Sequence, residues 1–220
     1  MSAPGRTDLG AGEAVAIVGL CFGLPIWWSL QAVLSGYAGT GSGGGFNDGA
    51  LLSMMVQELV TGALAIGLLR WRGYAVGSLH PDPDLSGAFI ALVLCGTALM
   101  ADQVLMAFIW NPHVEQPIQR LMQVSHPSVG AIVPASLVNG AFEEVFLLGA
   151  LQRGLERHGA SFALGASSLV RVSYHLYQGP IGAAGVLVWG LVLSLYYQRS
   201  RKLWPPVFAH GLWDILAFMH

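Results

Sequence analysis

The sequence predicts an all-α protein, a polytopic transmembrane helix bundle with about seven spans. Three observations predict this class. Hydrophobic residues make up 54% of the 220 residues, and another 29 residues are Gly. Charged residues make up only 10%, whereas about 25% is usual in soluble domains. Seven apolar stretches, each roughly 17 to 25 residues long, can be marked off, and a helix of about 20 residues spans the bilayer core.

The predicted spans run, in chain order, over 13–36, 48–69, 85–109, 128–152, 160–178, 182–198 and 203–219. The first is longer than the apolar region of a typical signal peptide, and no small-x-small cleavage site follows it, so we expect a retained helix. Residues 39–49 are Gly-rich and include a G-x-G-x-x-G pattern at 39–44. Because no strand precedes this pattern, it predicts a flexible loop and not a dinucleotide turn.

The fifth predicted span, 160–178, contains Arg171 and His175. Two such groups are too polar to face lipid, so neighbouring helices must shield this span.

The distribution of Lys and Arg predicts an orientation in the membrane. With seven spans, eight of the ten cationic residues lie on one side, Arg120 lies on the other, and Arg171 lies within a span. Cytoplasmic connections carry the excess of Lys and Arg, so we expect a cytoplasmic N-terminus. The eight residues are Arg6, Arg70, Arg72, Arg153, Arg157, Arg199, Arg201 and Lys202. The composition suits an integral membrane protein of a prokaryotic cell, in contact with the lipid bilayer.

Composition also excludes some classes of function. The net charge is only −2, so no basic surface indicates a nucleic-acid partner. The two cysteines, Cys21 and Cys95, both fall inside apolar stretches. We interpret them as small packing residues and not as a disulfide framework.

Ionisable side chains inside the spans are the candidates for function. A charge at the bilayer centre costs at least about 2.5 to 3.5 kcal/mol, so each such residue needs a reason. Eight fall inside the predicted spans: Glu58, Asp102, Glu143, Glu144, Arg171, His175, His210 and Asp214. For Glu58 and Asp102 we expect a role in helix packing or in lining a cavity.

The spacing of the remaining groups allows one polar pocket between spans four, five and seven. His210 and Asp214 are four residues apart and share a helix face, as Arg171 and His175 do on theirs. A desolvated carboxylate can take a proton from water, and an imidazole can orient that water or donate to an oxyanion. Hydrolysis is the natural reaction. The same residue types also suit a zinc site through Glu143, His175 and His210, or a proton relay.

The order of these residues resembles the CPBP family of intramembrane proteases, the CAAX-processing and bacteriocin-immunity group. The resemblance lies in Glu143-Glu144, in His175 about thirty residues later, and in His210-Gly-Leu-Trp-Asp214. It divides the chain into N-terminal helices at 1–126, about three spans outside the resemblance, and a catalytic core at 127–220.

The resemblance implies an endopeptidase that hydrolyses a peptide bond of a membrane-associated or lipidated substrate. It makes Glu143 the general base and His175 its partner in activating water. It makes His210 the oxyanion donor, Asp214 the orienting residue, and Glu144 the holder of the local charge network. We favour a glutamate-type mechanism without a cofactor over a zinc-dependent one.

Two positions depart from the family pattern. Leu148 stands where the family usually has Arg, and Arg171 stands where it usually has Phe. One guanidinium is missing from span four and one is present in span five. We therefore expect Arg171 to offset the charge of the Glu pair from across the pocket.

Two other classes of function remain as alternatives. One is a proton-coupled transporter, although no internal repeat of the kind common in secondary transporters is evident. The other is a non-catalytic family member that binds or protects a membrane protein. The sequence predicts neither the oligomeric state nor prenylation of the substrate.

Overall fold

A computed structural model describes residues 5–38, 45–111 and 113–219. The Gly-rich pattern at 39–44 lies outside these residues. The described part is all-α, as predicted. Its helices are α1 (Ala11–Leu34), α2 (Asp48–Trp71), α3 (Leu85–Ile109), α4 (Pro117–Gln123), α5 (Val129–Glu144), α6 (Ala160–His175), α7 (Pro180–Ser200) and α8 (Trp204–Met219).

Five of the seven predicted spans are helices long and apolar enough to cross a membrane. These are α1, α2, α3, α7 and the continuous segment Val129–His158, which begins with α5. The predicted spans 160–178 and 203–219 correspond to α6 and α8, which have 16 residues each. Sixteen residues rise only about 24 Å, less than the roughly 30 Å bilayer core. Both short helices pack among the longer ones, α6 against α1 and α7, and α8 against α5 and α3.

Polar side chains fix where three of the long helices begin. Asn47 caps α2 by accepting a hydrogen bond from the Ala50 N–H, and Ser128 caps α5 in the same way. Asp84 caps α3. Hydrogen bonds from the Ser86 hydroxyl and the Gly87 N–H lower the pKa of the Asp84 carboxyl. Each cap satisfies a backbone N–H group that the first helical turn leaves free.

Helices α5 and α8 approach each other very closely. A Cβ atom added to Gly140 on α5 would lie 2.6 Å from the Gly211 nitrogen on α8. Small residues at a helix interface permit such contact in membrane bundles. Since Gly140 lies just before the Glu pair and Gly211 follows His210, this contact brings the carboxylates beside the imidazole.

The segment after α5 is π-helical over Val145–Gln152. It begins directly after the Glu pair, and π-helical turns are frequent at functional sites. Side chains satisfy its carbonyl groups. The Tyr74 hydroxyl donates to the Gly149 oxygen at 3.0 Å, and the Ser167 hydroxyl donates to the Leu147 oxygen at 3.3 Å.

The eight cationic residues predicted on one side gather at one end of the bundle, called the cationic end below. Arg6 and Arg72 both pair with Glu13 there, the latter at 2.8 Å. Arg201 pairs with Glu156 at 2.6 Å. The opposite end contains α4, the end of α3 and the starts of α5 and α7, and it is called the cation-poor end because only Arg120 lies there.

Candidate active site

The Glu pair and Arg171 form a buried ion cluster. Glu143 and Glu144 at the end of α5 are 6% and 0% exposed. Arg171 on α6 places Nη2 2.8 Å from Glu144 Oε2 and Nη1 3.5 Å from Glu143 Oε2. The predicted pairing of Arg171 with the Glu pair is confirmed. Gly190 on α7 makes room for it, because an added Cβ would lie 2.5 Å from the Arg171 Cδ.

Glu144 joins a guanidinium and an imidazole. Its Oε2 binds the Arg171 guanidinium, and its Oε1 lies 2.6 Å from the His210 Nδ1 on α8. Both carboxylate oxygens are therefore engaged, and this acid fixes the orientation of the His210 ring. The sequence had suggested that Asp214 would orient that ring.

Glu143 has a different environment. Its Oε2 accepts a hydrogen bond from the Tyr174 hydroxyl and lies 3.8 Å from the His210 Nε2. Its Oε1 accepts no hydrogen bond from the residues that the structure describes. Glu143 therefore keeps one carboxylate oxygen available for a proton or a water molecule.

Tyr174 was not among the site residues predicted from the sequence. It lies on α6 three residues after Arg171, and this spacing places both on the same helix face. Its ring stacks on Phe22 of α1 with ring centroids 5.1 Å apart. The spacing to Arg171 was therefore the signal that could have identified it.

Asp214 lies on the other side of the His210 ring. Its Oδ1 is 3.7 Å from the His210 Nε2, and its Oδ2 accepts a 2.8 Å hydrogen bond from the Asn139 side chain. Asn139 was also missed, although it precedes Glu143 by four residues on α5 and shares its helix face. The amide holds the Asp214 carboxylate at the edge of the cluster.

His175 ends α6 and lies beside the ion cluster. Its Nδ1 donates to the Arg171 carbonyl oxygen at 3.0 Å, which leaves Nε2 as the acceptor. The ring lies 4.4 Å from the Tyr174 ring, measured between centroids. The Nε2 of His175 has no hydrogen-bond partner among the described residues.

A cavity of about 290 Å³ adjoins the cluster. Its wall includes Arg171, His175, His210 and Asp214. Four of the residues singled out from the sequence therefore share one chamber, while the Glu pair lies behind its wall. Asp102 of α3 lines the same cavity, in agreement with the cavity role expected for it.

Glu58, the other acid expected to have a packing or cavity role, lies on α2. It is 7% exposed, and its Oε2 has no hydrogen-bond partner among the described residues. Since α2 packs against α5, Glu58 is a buried packing residue of the neighbouring helix.

The group of side chains that could hold a metal ion differs from the zinc set predicted from the sequence. The three groups with ligand atoms within 4.8 Å of one another are Glu143, Glu144 and His210, so His175 is not part of this set. Two ligands of a tetrahedral zinc ion, each about 2.0–2.1 Å from it, are roughly 3.3 Å apart. The Glu144 Oε1 and His210 Nδ1 are only 2.6 Å apart, a hydrogen-bond distance, and Arg171 already contacts both carboxylates.

Comparison with known proteins places this site in a family. Residues 125–216 match the family model described as Rce1-like, type II CAAX prenyl endopeptidase Rce1-like. The match covers 92 of the 220 residues and supports the CPBP/CAAX protease family for this region. It agrees with the resemblance seen in the sequence and indicates a protease, which is a hydrolase. Neither a curated protein nor a solved structure matches the chain.

Proposed function

We propose that the protein is an intramembrane endopeptidase that hydrolyses a peptide bond of a membrane-associated or lipidated substrate. The observation that carries the proposal is the buried carboxylate, guanidinium and imidazole cluster directly behind a cavity lined by His175, His210 and Asp214. Such a site can hold a substrate carbonyl on one side and supply a base and hydrogen-bond donors from the other.

Glu143 is the general base in this proposal. The Oε1 of Glu143 is free of hydrogen bonds from the described residues, whereas both oxygens of Glu144 are engaged. Water attacks the carbonyl carbon while Glu143 takes its proton, and the free Nε2 of His175 accepts a hydrogen bond from the same water.

His210 stabilises the tetrahedral intermediate. Its Nδ1 donates to Glu144, and its Nε2–H donates to the oxyanion when the ring carries both protons. The acids around this ring, Glu143, Glu144 and Asp214, favour that doubly protonated form. When the C–N bond breaks, Glu143 passes its proton to the leaving nitrogen, and the products are an amine and a carboxylic acid, which keeps the second proton of the water until it ionises.

A cleavage assay tests the proposal. The purified protein in detergent is given fluorogenic peptides that contain an apolar segment. Glu143→Gln removes the base and keeps the shape, so kcat should fall by about 10² to 10⁴-fold. Glu156→Gln is the control, since it makes the same change to an acid that pairs with Arg201 at the cationic end and should leave cleavage intact. Equal loss in both variants, or no loss in Glu143→Gln, would overturn the assignment.

The same proposal makes the reaction independent of a metal. The support is the 2.6 Å contact between Glu144 and His210 and the presence of Arg171 between the acids. Activity should survive prolonged incubation with a strong chelator. Loss of activity that zinc restores would instead make Glu143, Glu144 and His210 metal ligands. Proton flux into liposomes without any cleavage would favour the transporter.

We also propose that the protein lies in a prokaryotic cell membrane with its N-terminus in the cytoplasm. The support is the cationic end, which holds eight of the ten Lys and Arg residues. Positive residues near the ends of spans mark the cytoplasmic side.

A further inference from the structure

Among the residues that the structure describes, the cavity leads from the site toward the end of the bundle where α3 ends. Helix α3 lines it with Ala98, Asp102, Met106 and Trp110, residues four apart on one helix face. Exposure rises along this row, from 1% at Ala98 to 46% at Trp110. The cavity therefore widens toward the end of α3.

The other walls of the mouth belong to the same end. Gln116, Ile118 and Gln119 line it from α4 and its N-cap, and Ile181 and Gly182 line it from the first turn of α7. These segments all lie at the cation-poor end. The mouth of the cavity is therefore at the cation-poor end.

The path toward the cationic end is closed. Below the Glu pair, the π-helical segment packs Leu147, Leu148 and Leu151 into the core, with exposures of 0%, 0% and 2%. None of the eight residues of the cationic end lines the cavity. Among the described residues, the cavity therefore extends toward the cation-poor end and not toward the cationic end.

We infer that the protein takes its substrate from the extracytoplasmic side of the membrane, as a peptide segment lying at that surface. The inference rests on the proposed protease function and joins two independent observations. The mouth lies at one end, and the positive residues that mark the cytoplasm lie at the other. A lipidated tail presented from the cytoplasm would meet the closed end of the bundle.

The lining of the cavity indicates the chemistry of that segment. The cavity is lined by the aromatic rings of Trp110, Trp189 and Trp213, by the carboxylate of Asp102 and by the amide of Gln119. Its volume of about 290 Å³ is just below the roughly 300–1,000 Å³ range of ligand pockets. It suits a short, largely apolar segment with some polar groups.

Thiol labelling in intact bacterial cells tests the side of access. Ile118→Cys places a thiol at the mouth of the cavity. Ser35→Cys places one at an exposed site of the same end, and Ser161→Cys places one at the cationic end. Wild-type protein is the blank, because Cys21 and Cys95 are both buried. A membrane-impermeant maleimide should label Ile118→Cys and Ser35→Cys in intact cells. It should label Ser161→Cys at least tenfold more after permeabilisation. Labelling of Ser161→Cys alone in intact cells, or equal labelling at both ends, would overturn the inference.

A second measurement separates this inference from the proposed function. The labelling is repeated with each Cys variant in the Glu143→Gln protein, which should give the same pattern because topology does not depend on catalysis. In the active protein, modified Ile118→Cys should lose at least tenfold in kcat/KM for the peptide, while modified Ser35→Cys should not. If the labelling pattern is as predicted but no peptide is cleaved, the proposed protease function is wrong and the inferred side of access still stands. If cleavage persists after complete modification of Ile118→Cys, the substrate does not enter through the mouth of the cavity.

Discussion

The Arg171 cluster gives the sharpest test of the site. Arg171→Leu leaves Glu143 and Glu144 in the core without their cation. Removing one partner of a buried ion pair costs about 3–5 kcal/mol. For a protein of this size, 1 kcal/mol shifts Tm by about 2–4 °C, so Tm should fall by on the order of 6–20 °C. The cleavage rate should fall with it, because His210 is held by the same Glu144.

The chain offers its own rescue variant. Leu148 lies one turn after Glu144, is fully buried, and occupies the position where the family usually has Arg. Leu148→Arg combined with Arg171→Leu returns one guanidinium to the Glu pair from the other helix. The two changes should be non-additive, and the double variant should be more stable than the sum of the single ones by about 0.5–3 kcal/mol.

The assay is thermal unfolding in detergent, followed by tryptophan fluorescence, together with peptide cleavage. Arg199→Leu is the control, since it removes an exposed Arg and should change stability by less than about 0.5 kcal/mol. An Arg171→Leu protein that unfolds within 2 °C of wild type and cleaves at the full rate would refute charge compensation. If the stability changes of Leu148→Arg and Arg171→Leu simply add in the double variant, an Arg at position 148 does not replace Arg171.

Three further changes have expected outcomes. Gly140→Ala forces a Cβ to 2.6 Å from a backbone nitrogen of α8 and should cost about 1–3 kcal/mol of stability. Gly130→Ala on the same helix meets only ordinary contacts and should not destabilise; equal effects would contradict the close packing. Gly185→Ala places a Cβ 2.9 Å from a carboxylate in the cavity. It should lower kcat/KM about tenfold with Tm unchanged; undiminished cleavage would place the substrate elsewhere. Tyr174→Phe removes a hydrogen bond to the Glu143 carboxylate, usually about 1.5–3 kcal/mol, so kcat should fall by about tenfold or more with KM little changed. An unchanged kcat would make Tyr174 a packing residue.

The fold class followed from composition because few charged residues and long apolar stretches permit little except a membrane bundle. The predicted span 203–219 agrees with α8 to within one residue. The end of α6 did not follow, because the predicted span 160–178 included Leu176–Gln178, which form a separate 3₁₀ turn that hydropathy cannot distinguish from helix. Short helices in a bundle depend on how much of each surface its neighbours cover, and a single sequence does not contain that information.

The candidate site was predicted in part because spacing reports which residues share a helix face. It placed Arg171 with His175 and His210 with Asp214. Spacing does not report how two helices are rotated against each other. The contact of Gly140 with Gly211 sets that rotation for α5 and α8, and it turns Glu144 toward the Nδ1 of His210. The division of contacts between the two acids therefore needed coordinates.

The two acids differ in chemistry although they are adjacent and both buried. Desolvation raises the cost of a charge on each, so burial alone cannot give them separate roles. Their contacts can. Glu144 binds Arg171 and His210 through separate oxygens, so a proton added there would break one of two charge-assisted hydrogen bonds. Glu143 can take a proton on Oε1 and keep its hydrogen bond from Tyr174 on Oε2. The acid that loses fewer hydrogen bonds on protonation is the better base, and this difference supports the proposed roles of Glu143 in proton transfer and Glu144 in positioning His210.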